Sequence, residues 1–169
     1  GAEGRPVKRT LMASGLAFAG SLGLYLVTMA PDLPPGHDSA ELVTAAKVLG
    51  IAHPPGYPLY VLSGYLLLSV LPGDPAWVMN LFSAGSGALA VGLLALAISR
   101  FTSSNLAGLL AAGLFACART PWRMAVGAEV FSLHLALVAA LLAVIAFWRE
   151  ATESGRRTWL AVGCLVLGL

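Results

Sequence analysis

Residues 10–30 contain no charged side chain, and that run constrains the fold more than any other feature of the chain. Coiled as an α-helix at about 1.5 Å per residue, it reaches about 30 Å, the thickness of a bilayer's hydrocarbon core. A signal peptide has a shorter apolar segment and a small-residue cleavage site, whereas Pro31 and Asp32 follow here. The run therefore reads as a retained transmembrane helix. Composition agrees: 58% of the residues are hydrophobic and 11% charged, against about 25% charged in a soluble domain. A net charge of +2 on scattered basic residues gives no reason to expect nucleic acid as a partner.

Arg5, Lys8 and Arg9 precede the run, so its start faces the cytoplasm and residue 31 onward emerges on the far side. Further spans are expected at about 76–99, 103–118, 128–148 and from 159 onward. The apolar segment 58–71 is short and lies between a Pro-rich turn and Pro72-Gly73-Asp74-Pro75. It reads as an interfacial or re-entrant helix. If it does not cross, Arg100, Arg149, Arg156 and Arg157 fall inside; if it crosses, the last three fall outside, against the positive-inside tendency. Arg119 and Arg123 are the exceptions and land on the side of residue 38. Residues 31–75 then form one outer loop carrying interfacial helices. The expected fold is all-α, a polytopic transmembrane helix bundle.

Small residues four apart (Ala84, Ala88 and Gly92; Ser83 and Gly87; Gly108 and Ala112) let membrane helices approach closely. Cys117 and Cys164 each lie in an apolar run and read as buried small hydrophobes, with no disulfide or metal spacing. Trp77, Trp122, Trp148 and Trp159 lie near expected span ends, as an interfacial belt requires. The chain starts at Gly1 and stops at Leu169 inside an apolar run. It is expected to be the N-terminal piece of a longer membrane domain, inactive by itself.

Against this apolar background stand Gly-His-Asp-Ser-Ala-Glu-Leu at 36–42 and Ala-His-Pro-Pro-Gly-Tyr-Pro at 52–58. Ionisable groups beside a membrane are costly and so are functional candidates. Asp38 is placed to cap a helix over 39–49, with Glu41 at the third helical position as in a capping box. Leu42, Ala45, Ala46 and Leu49 give that helix one apolar face, and Gly50 ends it. Asp38 and Glu41 either serve only as caps or share a site, where mutual repulsion raises one pKa toward that of a general base. His53 and Tyr57, held by the prolines around Gly56, read as substrate contacts or as structural interfacial residues.

Glu129 sits at the outer start of an apolar span. It reads as a helix N-terminal acid or as a ligand for a sugar hydroxyl or an arginine. Arg123, and less so Arg119, is placed to bind a phosphate or lipid headgroups. His37, Asp38, Glu41 and His53 match no known metal-ligand spacing, so no metal is expected.

The segments Gly-His-Asp-Ser-Ala-Glu-Leu (36–42), Ala-His-Pro-Pro-Gly-Tyr-Pro-Leu (52–59) and Ala-Glu-Val-Phe-Ser-Leu (128–133) resemble the membrane O-mannosyltransferases that modify IPT domains of plexins and related receptors. That family is of the GT-C type, with bacterial relatives, and the resemblance runs from about residue 24 to about residue 148. It implies a GT-C bundle with interfacial helices in the first outer loop. It also implies transfer of mannose from a polyprenyl (dolichyl) phosphate donor to Ser or Thr of a protein acceptor at the luminal or outer face, with no cofactor. Asp38 takes the place of the first-loop catalytic acid, with Glu41 beside it. Ala40 stands where the family commonly has Gly and His134 where Asn is common, so no role carries over to residue 134.

A sugar phosphate brings its own leaving group, so the reaction needs one base for the hydroxyl and cations for the departing phosphate. Asp38 fits the base and Arg123 the cation, and one base facing one leaving group implies inversion by analogy with inverting glycosidases. The resemblance places the protein in the endoplasmic reticulum membrane, with a bacterial inner membrane as the alternative. The rival class is a carrier or lipid-handling protein in which Asp38, Glu41 and Glu129 line a path. Their clustering at one surface, rather than at mid-membrane, disfavours it.

Overall fold

The computed structural model describes residues 7–33 and 38–168, which are helical almost throughout. Among the described residues the helices are α1 (Val7–Thr28), α2 (Ser39–Val48), α3 (Pro58–Val70), α4 (Pro75–Thr102), α5 (Asn105–Cys117), α6 (Arg119–Ala125), α7 (Val130–Glu150) and α8 (Glu153–Leu167). Of these, α1, α4 and α7 are the three long and apolar enough to cross a membrane. The apolar helices α3 and α5 have 13 residues each. At that length they reach about 20 Å, short of a full hydrocarbon core. The chain is an all-α bundle, as expected.

The centre of the bundle is α4, which packs against α1, α5, α6 and α7. It is apolar nearly all round, so its packing is set by side-chain size rather than by an amphipathic stripe. At Gly92 an added Cβ would stand 3.0 Å from Phe18 Cβ and 3.3 Å from the Ser14 carbonyl oxygen. At Gly87 it would stand 2.8 Å from Ala125 Cβ. The small residues spaced by four are thus the points of closest approach to α1 and α6. The Ser14 hydroxyl adds a bond to the Gly92 carbonyl at 2.7 Å.

Helix α5 runs alongside α1 in the same direction. Near their starts Thr10 Oγ1 donates to Asn105 Oδ1 at 3.2 Å, and near their ends Tyr25 Oη donates to the Ala116 carbonyl at 3.2 Å. The chain then turns into α6 beside the end of α1, where Trp122 Nε1 donates to Thr28 Oγ1 at 2.9 Å and the Ala30 N–H to the Val126 carbonyl at 2.9 Å. Arg119 and Arg123 lie on this short helix. The opposite end of the bundle carries the Arg100–Glu150 ion pair, with Arg149 over the Phe101 ring and Arg156 over Trp148.

Cys117 and Cys164 correct an expectation, because both are exposed. The buried stripe of α5 is Gly108, Ala112 and Ala116, and on α8 only Gly163 is buried. Each cysteine is one residue past its stripe and so turns outward.

Asn80 fixes the departure of the chain from α1. It is fully buried on α4, and its Nδ2 donates to the carbonyls of Ala30 at 2.9 Å and Asp32 at 3.1 Å. Replacing it by leucine leaves both carbonyls without that donor. Asn80→Leu is therefore expected to destabilise the full-length protein by about 1–3 kcal/mol, read as a lower Tm with helix content unchanged. A wild-type Tm would mean that the two carbonyls find other donors.

Candidate active site at the corner of α2 and α3

Helix α2 buries Leu42, Val43, Ala45 and Ala46, which form one core cluster with Ala52, Tyr60, Val61, Met79 and Ala128. Its apolar face ends one turn earlier than expected. Leu49 is 52% exposed and adopts the left-handed conformation (φ 51°) that was expected of Gly50. The Gly50 N–H then closes the helix end on the Ala45 carbonyl at 2.8 Å. The following loop is compact: Gly56 (φ 91°) and Tyr57 (φ 46°) are both left-handed, and Pro58 starts α3, where its missing N–H is not needed.

This loop brings His53 back over the first turn of α2. Glu41 grips it twice: one carboxylate oxygen accepts the His53 backbone N–H at 2.6 Å, and the other lies 2.9 Å from His53 Nδ1. The capping box read from the sequence is therefore not formed. Asp38 occupies the N-cap position without a side-chain capping bond, and Glu41 is turned toward the loop instead. The expected rise of one carboxylate pKa by repulsion is also corrected at Glu41. The hydrogen bond from the His53 side chain, followed by the one from its backbone N–H, holds the Glu41 carboxyl below the usual range.

A carboxylate can only accept, so Nδ1 carries the proton and the lone pair of neutral His53 sits on Nε2. Nε2 lies 3.4 Å from Tyr57 Oη and 3.9 Å from Asp38 Oδ2. The two rings meet edge to face at 5.3 Å. Asp38 is the most open member of the group, its side chain 68% exposed. Asp38, Glu41, His53 and Tyr57 thus form one contact network. His37 lies outside the described residues.

Glu129 precedes α7 as its N-cap and is only 5% exposed. Its backbone is held by Ser83 on α4: the Glu129 N–H donates to Ser83 Oγ at 3.0 Å, and that hydroxyl donates to the Glu129 carbonyl at 3.3 Å. Ser132 Oγ ties the first turn of α7 to the Met124 carbonyl of α6 at 2.8 Å. The neighbouring Ala128 belongs to the same core cluster as Leu42 and Tyr60, which places Glu129 behind the α2–α3 corner. Arg119 and Arg123 are exposed on α6 at the same end of the bundle.

Sequence reasoning gave Asn80 no role and took Ser83 only as a small residue. Their signal is nonetheless present: polar residues three apart on an apolar helix face the bundle interior and seek partners there.

A cavity of about 380 Å³ opens beside this corner, lined by Tyr57, Tyr60, Val130, Phe131 and His134 among others. Its wall is mainly carbon, and Tyr57 is shared with the polar network. No group of three or more His, Cys, Asp or Glu side chains is placed to hold a metal ion among the described residues.

The family model of the protein O-mannosyl-transferase TMEM260 N-terminal domain matches residues 38–169. The protein O-mannosyl-transferase TMEM260 of Mus musculus is 40% identical over 161 residues, which is 94% of this chain and 23% of the relative. The protein of the same name from Dictyostelium discoideum is 31% identical over 138 residues, 80% of this chain and 17% of the relative. The chain thus spans less than a quarter of either relative. No solved structure matches it.

Proposed function

The chain belongs to the protein O-mannosyl-transferase TMEM260 N-terminal domain family, and on that premise we propose that it supplies the acceptor-activating base of a protein O-mannosyltransferase. The observation that carries this reading is the open Asp38 carboxylate, 3.9 Å from an imidazole nitrogen whose ring is fixed from behind by Glu41. In the full-length protein, Asp38 takes the proton of an acceptor Ser or Thr hydroxyl as its oxygen attacks C1 of the sugar. The bond from C1 to the phosphate oxygen breaks on the opposite face, and the anomeric configuration inverts.

The donor is a polyprenyl-phosphate mannose. Arg123, with Arg119 beside it on α6, stabilises the leaving phosphate, and Glu129 is the ligand for a sugar hydroxyl. The apolar cavity next to Tyr57 supports a lipid-linked donor, since it offers the first isoprene units a place beside the polar corner. The reaction takes place at the luminal face of the endoplasmic reticulum membrane.

The test is transfer of radiolabelled mannose from polyprenyl-phosphate mannose to a folded Ser/Thr-bearing acceptor domain by full-length protein in membranes. Label on acceptor Ser or Thr, with the opposite anomeric configuration to the donor, is the expected result. Flux of free sugar with no labelled acceptor would instead make the protein a carrier.

A further inference from the structure

We infer that His53 is the proton acceptor behind Asp38, and that Glu41 is a positioning residue for His53 rather than a second catalytic carboxylate. This rests on the transferase reading above. Glu41 occupies both the backbone N–H and Nδ1 of His53, so neither of its oxygens is aimed at a substrate from this geometry. Its fork holds the ring in one tautomer and one orientation, with the Nε2 lone pair toward Asp38 and Tyr57. An imidazole oriented by a carboxylate on one nitrogen, with the lone pair of the other facing the Tyr57 hydroxyl and Asp38, is built to accept a proton.

The proton path balances without a co-reactant. As the acceptor oxygen bonds to C1, its proton passes to Asp38 Oδ2. Rotation of the exposed Asp38 side chain closes the 3.9 Å gap, and the proton moves on to His53 Nε2. The imidazolium then sits between the Asp38 and Glu41 carboxylates, and it finally releases the proton to water. The Tyr57 hydroxyl donates to Nε2 in the resting state and turns to accept once Nε2 is protonated. Among the described residues, the titratable groups facing the imidazole are Asp38 and Glu41 from the start of α2 and Tyr57 from the N-cap of α3. Protonation of His53 before substrate binds removes the acceptor, so transfer falls as the pH is lowered.

Two variants of the full-length protein separate this role from simple pinning of the loop. Glu41→Gln keeps the outline of the fork but turns one of its two acceptors into a donor and removes the charge, so the imidazolium is disfavoured. The acid limb of kcat/KM is expected to move to lower pH. His53→Asn retains an amide N–H where Nδ1–H met Glu41 but has no basic atom in place of Nε2. Its kcat is expected to fall by about 10²-fold, within the range of general acid–base effects, with donor KM unchanged and the acid limb moved to lower pH, where only protonation of the Asp38 base remains to stop transfer. A His53→Asn protein with wild-type kcat and pH profile would overturn the inference, because pinning alone would then suffice. Should His53→Asn fail to fold, a Glu41→Gln profile superposable on wild type overturns it equally. Absence of transfer by wild type is a different result and strikes the transferase reading itself.

Discussion

Asp38→Asn in the full-length protein is expected to lower mannosyl transfer by about 10²–10⁴-fold, the range over which a positioned general base acts, while donor KM stays close to wild type. The substitution isolates chemistry from folding. Asparagine is as good an N-cap residue as aspartate, and the Asp38 side chain makes no capping bond to lose. The side chain is also open to solvent, so the neutral amide is not forced into a buried site. What disappears is the basic oxygen 3.9 Å from His53 Nε2. The measurement is labelled transfer by wild type and variant at matched amounts of folded protein. Normal transfer by Asp38→Asn would remove the base from this residue and move it to Glu41 or Glu129.

The features readable from sequence were those whose signal is local. The charge-free run before residue 31 is α1, and the aspartate followed by leucine and alanine at helical spacing is α2. The small residues four apart on α4 mark its contacts with α1 and α6 because backbone approach depends directly on side-chain volume. The site was readable as a set of residues but not as a network. Glu41 satisfies itself on a group 12 positions away, across a loop whose path depends on left-handed Leu49 and Tyr57, residue types that give no such signal. Ser83 holds Glu129 over 46 positions. The outward turn of Leu49 likewise depends on where the partner surface of α2 stops, and that surface is made by α3, α4 and Ala128. Long-range hydrogen bonding is a property of the assembled bundle, and a local pattern names only the groups available for it.

Gly108→Leu is expected to have the largest effect on stability, about 3 kcal/mol or more, at the upper end of overpacking costs. An added Cβ at residue 108 would lie 2.6 Å from the Ala95 carbonyl oxygen and closer still to Ser99 Oγ. The carbonyl belongs to α4 itself, and Ala95 is fully buried in the cluster joining α1, α4 and α5, so the obstacle cannot swing aside as a side-chain tip would. The larger side chain must push α5 away from α4. That movement loosens Ala112 and Ala116 and strains the Tyr25–Ala116 hydrogen bond between α1 and α5. It also displaces α6, which carries Arg123, so transfer should fall along with stability. Gly113→Leu on the same helix is the control: an added Cβ there meets nothing within 4 Å, and the position is exposed. Both substitutions gain the same helix propensity, which by itself favours leucine over glycine. The difference in Tm between the two purified variants therefore measures the α4–α5 contact alone. Equal Tm values would mean that α5 can leave α4 without loss, and that the small-residue spacing at 108 and 112 does not hold this part of the bundle together.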